Sequence, residues 1–205
     1  MSIQLTVFDI FSYTMPGLGY MYVYWRISRI IGIGNAFQFD VNVQYVIVIL
    51  MIGYVIGILM DSIVRRGWWH DYRQNSINDV LDKIREENCE LGYKLKASEY
   101  HVYRVFVTNK NTSNAEVIEK MEAITILLRN ISCSLALLCA AEICSSFISS
   151  NVLEGLFLIV TTGVFAVVGT KEAIRFEKQE IIHVYNCMIC ENIPLNNLID
   201  LRKNV

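Results

Sequence analysis

Four long apolar stretches punctuate the chain, at Val7 to Ile31, Val41 to Met60, Ile131 to Ile148 and Val152 to Val168. Each approaches the ~20 residues that carry an α-helix across about 30 Å of hydrocarbon. A polar stretch with helical periodicity separates the second from the third, and another follows the fourth. The pattern predicts an all-α integral membrane protein with four transmembrane helices and a helical insert between spans 2 and 3. Its expected boundaries are a first transmembrane hairpin over 1–64, the insert over 65–130, a second hairpin over 131–170 and a helical tail over 171–205.

Within the insert, Ser76 followed by Asp79 resembles a capping box that opens a helix through about Leu91, with Ile77, Leu81 and Ile84 on one side and Gly92 as its stop. A second helix is expected from about Ala97 to Val107, with Tyr100, Tyr103, Arg104 and Val107 at helical spacing. The polar run Thr108 to Asn114 reads as a turn. Ser113 with Glu116 then caps a helix whose stripe is Val117, Met121, Ile124 and Leu128. No strong breaker lies between Glu116 and Phe147, so that helix is expected to flow into the third span. In the tail, Ile174, Ile181, Tyr185 and Met188 give an amphipathic helix that Pro194 helps to stop. An insert of about 70 residues is too small to promise its own core, so it is expected to pack on itself, on the tail or on a neighbouring subunit.

Charge placement supplies an orientation. Eleven Lys and Arg lie between Asp61 and Asn130 and five more between Lys171 and Val205, leaving Arg26 and Arg29 elsewhere. Basic residues favour the cytoplasmic side, so both polar regions and both termini are expected in the cytoplasm of a multi-pass inner (plasma) membrane protein. The N-terminus lacks the basic leader of a signal peptide and is not expected to be cleaved. The 54% hydrophobic content exceeds the roughly 45–50% of soluble domains, and the lipid bilayer is the first partner implied. The polar regions are themselves balanced, 11 acidic against 11 basic and 5 against 5. A nucleic-acid-binding face normally needs a basic excess, and none exists.

Several residues stand out against this background. Glu142 is an ionisable group inside a span, which normally faces a bundle or water, and Arg26 and Arg29 sit near the opposite end of the first span from Asp9. Pairing of Glu142 with Arg26 or Arg29 would explain all three, and it predicts that the first span packs on the third near its outer end. Pro16 and Gly17 read as a break within the first span. Gly53 and Gly57, four apart in the second, suit close helix packing, as do Ala136 and Ala140 in the small-residue third span. Asp9 is placed either as an inner cap or as a functional acid.

Catalytic signals are weak. Arg65 and His70 meet the loose R-x4-H spacing of HEPN-class ribonucleases, but Arg66 and two tryptophans intervene at a membrane boundary, so an enzyme is not expected. His183, Cys187 and Cys190 form an H-x3-C-x2-C string. Zinc needs four ligands and no second pair matches, so no metal and no cofactor are expected unless subunits share a site. Three cysteines fall in polar regions expected to be reducing and three in the third span, so no disulfide framework is predicted.

The segment FDIFSYTMPGLGY, Phe8 to Tyr20, resembles the opening of bacterial membrane proteins whose first span is rich in Phe and Tyr and carries a Pro-Gly step. The layout of two spans, a helical cytoplasmic insert and two more spans is similar to small multi-pass proteins of antiviral defence loci, namely the accessory membrane proteins of type VI-B CRISPR loci and the membrane subunit of the Kiwa system. The resemblance implies an oligomeric inner-membrane accessory or effector protein that perturbs or permeabilises the membrane when a cytoplasmic protein partner signals through its helices. The alternative is a non-conducting membrane anchor that docks and regulates a soluble partner.

Overall fold

The computed structural model of the chain describes residues 7–32, 43–87, 95–148 and 152–190. These form α1 (Val7–Ile30), α2 (Val43–Arg66), α3 (Trp68–Glu87), a single 3-10 turn (Ala97–Glu99), α4 (Tyr100–Lys110), α5 (Thr112–Ile148) and α6 (Val152–Cys190), with no strand among the described residues. Three of these helices contain stretches long and apolar enough to cross a membrane, Val46–Arg66, Thr112–Ser146 and Gly155–Cys190. Where the sequence predicts four, α1 is not among these three.

The chain divides into two compact units, one drawn from Met1–Arg66 and Ala123–Ile174, the other from Gly67–Glu122 and Arg175–Val205. The two apolar hairpins therefore belong to one unit, and the insert combines with the tail in the other. Helices α5 and α6 contribute to both, and each is uninterrupted across the division.

In the apolar unit, α1 runs through Pro16 as one helix of 24 residues, which corrects the expected break at Pro16 and Gly17. Proline in a helix removes an N–H and crowds the preceding turn. Here the backbone at the adjoining Gly17 packs directly onto α2. At the other end Gly32, with φ +82°, turns the chain out of the helix and donates its N–H to the Arg29 carbonyl at 3.2 Å.

The polar unit has a true apolar core. Ile77, Val80, Leu81 and Ile84 of α3, Leu95, Tyr100, Tyr103 and Val107 at and in α4, Ile118 of α5, and Ile181, Val184, Tyr185 and Met188 of α6 pack together. At about 1.5–3 kcal/mol for each large side chain buried, the tail's four residues are a substantial part of what stabilises this unit.

Local signals differ in detail from the sequence reading. Helix α3 begins at Trp68, and Ser76 is a buried interior residue, not a cap, because the apolar stripe already starts at buried Trp69. The cap of α5 is Asn111, whose Oδ1 accepts the Ser113 N–H at 2.9 Å. The fully buried residue of its first turns is Ile118, while Val117, Met121, Ile124 and Leu128 are half-buried. Gly92, Pro194 and the connections 33–42 and 149–151 lie outside the described residues.

Candidate functional site: paired charges within two helical cores

The apolar unit is assembled around backbone contact. A Cβ added at Gly17 of α1 would stand 1.7 Å from the Gly53 carbonyl oxygen of α2, and one at Gly57 would stand 2.0 Å from the Tyr13 carbonyl oxygen. The Tyr13 and Tyr54 rings meet edge to face at 5.9 Å beside the crossing. Helix α5 packs by a related device, setting serines against glycines: Ser134 opposite Gly19 of α1, and Ser132 and Ser146 opposite Gly169 and Gly155 of α6. Each of these hydroxyls donates to a carbonyl three or four residues back in its own helix, at 2.7–2.9 Å. Small polar side chains thereby enter the interface with no donor left open.

Near one end of this unit, Arg26 of α1 reaches Glu142 of α5. Its Nε donates to Oε1 at 2.5 Å and its Nη2 to Oε2 at 2.9 Å, a two-point pairing of a half-buried guanidinium with a carboxylate whose residue is 2% exposed. Arg29, one turn on, is exposed and stacks its guanidinium over Trp25 at 5.2 Å from the ring centroid.

A second pairing lies about 20 Å along α5, at 1.5 Å per residue. Asp61 near the end of α2 accepts from Arg129 Nη2 and, at 2.8 Å, from Asn130 Nδ2, both on α5. All three residues are buried. In the sequence Asp61 directly follows the second apolar stretch, and Arg129 and Asn130 belong to no motif of their own. The available signal was that α5 carries no breaker, so an arginine followed by an asparagine had to enter the same helical face as the serines three and four residues on. On the same helix pair as the first ion pair, Ser12 Oγ of α1 donates to the Ala123 carbonyl at 3.0 Å.

The polar unit has a charged centre of its own. Glu180 of α6, 2% exposed, meets Arg104 Nε at 3.0 Å and Arg73 Nη2 at 3.7 Å and accepts the Tyr100 hydroxyl at 3.3 Å. Arg73 also approaches Glu177 at 3.4 Å, and Arg104 pairs with Glu122 of α5. Residues from α3, α4, α5 and α6 thus converge on two arginines. Burial works against charge on Arg73, yet Glu180 and Glu177 hold its guanidinium pKa above the ordinary value; Glu122 and Glu180 do the same for Arg104. Burial, with Glu180 adjacent, pushes the Tyr100 phenol well up. This cluster was not visible in sequence, since its members are separated by as much as the span pair.

The other candidate residues are placed as follows. Ala136 and Ala140 are exposed on α5, while Ser132, Ser134 and Ser146 lie against glycines of α1 and α6. Asp9 belongs to the first turn of α1, and its side chain lies outside the described residues. Arg65 and His70 are each exposed, at the end of α2 and the start of α3. His183 Nε2 stands 3.7 Å from Cys187 Sγ, and Cys190 is exposed. Among the described residues no group of three or more His, Cys, Asp or Glu is arranged to hold a metal ion. No protein-family model matches the chain, and no match was found among curated proteins or solved structures.

Proposed function

We propose that this chain is a four-span membrane protein whose polar helical unit stands in the cytoplasm and passes a signal into the spans. The observation that carries this reading is helix continuity. One helix, α5, holds Ile118 and Glu122 of the polar core and also Arg129 and Glu142 of the apolar unit; α6 likewise holds both Glu180 and the glycines Gly155 and Gly169. We infer that a rotation or shift imposed on the polar part of either helix passes along its continuous backbone hydrogen bonds to the paired charges. The outward face of α1 supports its place as the fourth span, since Ile10, Phe11, Met15, Tyr22 and Ile27 are exposed and apolar and suited to lipid.

In this reading the protein is an oligomeric accessory or effector of the inner membrane, in keeping with the resemblance to defence-locus proteins, and perturbs the bilayer when a cytoplasmic protein partner acts on the polar unit. No catalytic step is part of this reading. The two paired charge sites hold the resting bundle, and a homo-oligomer is required because four spans alone line no wide passage. The test is ion flux in proteoliposomes. The wild type should be tight, and Arg26→Gln and Glu142→Gln should each raise flux severalfold. Tight vesicles for every variant, with and without a bound partner, would defeat the effector role. They would leave the docking-platform reading, which the neutralisation of Glu142 by Arg26 and of Asp61 by Arg129 favours.

A further inference from the structure

We propose that His183, Cys187 and Cys190 form a peroxide-reactive thiol site at the C-terminal end of α6. The three residues follow one another at intervals of four and three, so they share one helical face. Of the five described cysteines, Cys187 is the one whose sulfur has a ring nitrogen in reach, His183 Nε2 at 3.7 Å. Cys139, by contrast, donates to the Ile159 carbonyl at 3.5 Å, inside the apolar unit. Cys187 is half-buried against the core formed by Tyr185, Met188 and their neighbours, while Cys190 is exposed and is the last residue of the helix. The arrangement holds no metal-ligand group of three; it is the pair of a nucleophile and its base, followed one turn later by a second thiol.

The chemistry closes with hydrogen peroxide as the two-electron oxidant. His183 takes the Cys187 thiol proton, and the thiolate sulfur attacks one peroxide oxygen. The S–O bond forms as the O–O bond breaks, and the leaving hydroxide recovers the proton from His183 to give water. Cys190 then attacks the sulfenic sulfur, the S–O bond breaks, and the oxygen leaves as a second water with the Cys190 proton. Side chains three apart on a helix have β-carbons about 5–6 Å apart, whereas a disulfide needs about 3.5–4.5 Å. The bridge therefore tightens the last turn of α6. The strain reaches the core through Cys187, which packs against it.

The experiment treats the full chain in detergent with limiting hydrogen peroxide and dimedone, reading each cysteine by peptide mass spectrometry. In Cys190→Ser the adduct should accumulate on Cys187. In the wild type it should give way to a Cys187–Cys190 disulfide. His183→Asn, or His183→Gln should the first destabilise the fold, should slow adduct formation at Cys187 by about 10²-fold, the size expected of one positioned base, while the reactivity of exposed Cys144 stays unchanged. A Cys187 rate indifferent to His183 in a protein of unchanged melting temperature would overturn the proposal. Failure of the wild type to form the disulfide would overturn the role of Cys190.

Discussion

Arg26 holds Glu142 through both a side and an end of its guanidinium, joining the first helix of the chain to the fifth across more than one hundred residues of sequence. Glu142 is buried, so removing its partner strands a carboxylate, and the penalty of a stranded buried charge is about 3–5 kcal/mol. Partial exposure of Arg26 lowers that figure. Arg26→Gln should therefore cost about 2 kcal/mol in denaturant unfolding from micelles, and Arg26→Gln with Glu142→Gln should cost less than the sum of the single changes. Additive costs in that double-mutant cycle would show the pairing to be idle.

The Asp61 site is deeper and should respond more strongly. Asp61→Ala leaves buried Arg129 without its carboxylate and should cost about 3–5 kcal/mol, whereas Asp61→Leu combined with Arg129→Met, which removes both charges and keeps the volume, should recover most of the loss. A double variant as unstable as Asp61→Ala would place the stabilisation in Asn130 instead.

The glycines of the apolar unit should not behave alike. Gly17→Ala and Gly57→Ala drive a methyl into backbone carbonyls and should strongly destabilise the protein, while Gly53→Ala meets the tip of Leu18 at 3.1 Å, a side chain able to shift. Its steric cost is offset by a helix-propensity gain of about 1 kcal/mol, so it should be close to neutral. Gly19→Ala meets the Ser134 hydroxyl at 2.8 Å and should be rescued by Ser134→Gly. Thermal melts of the five proteins give the ranking directly.

Two tyrosines of the polar unit give opposite expectations at neutral and alkaline pH. Among the described residues the buried Tyr185 hydroxyl has no hydrogen-bond partner, so Tyr185→Phe should be neutral or stabilising by about 1 kcal/mol. Tyr100 is held protonated by burial and by Glu180. Because its folded pKa lies above the unfolded value of about 10, the unfolded chain loses its proton first. The stability Tyr100 contributes is full below pH 10 and declines above it, by up to about 1.4 kcal/mol per pH unit. Tyr100→Phe should start lower at pH 7, having lost the bond to Glu180, and fall less steeply in melts taken above pH 10.

Much of this arrangement was legible before any coordinates. The four-residue spacing of Gly53 and Gly57 suggests a contact face, and charge in an apolar helix points from Glu142 to Arg26 or Arg29, of which Arg26 makes the pair. The same rules failed where two physical causes give one pattern. A Pro-Gly step looks identical whether it breaks a helix or lets another backbone touch it, so Gly17 was misread. Of the small-residue repeat Ser132, Ala136 and Ala140, the serine is set against Gly169 and the alanines are exposed, because a serine that donates to its own helix can be buried in apolar surroundings. Asp61 and Arg129 each stand at the margin of a hydrophobic run, a position in which a charge carries no sign of burial. The centre around Glu180 has no local signature, since Arg73, Arg104 and Glu122 precede the second hairpin and Glu180 follows it.

That last separation bears on how the chain is made. Ile77, Leu81, Tyr103 and Ile118 leave the ribosome long before Ile181, Val184, Tyr185 and Met188, and the apolar stretches of α5 and α6 emerge between them. The polar core cannot close until synthesis has passed Met188, so on the four-span reading the second hairpin enters the bilayer while Arg73 and Arg104 still lack Glu180. Insertion thus precedes, and sets the time for, completion of the polar core.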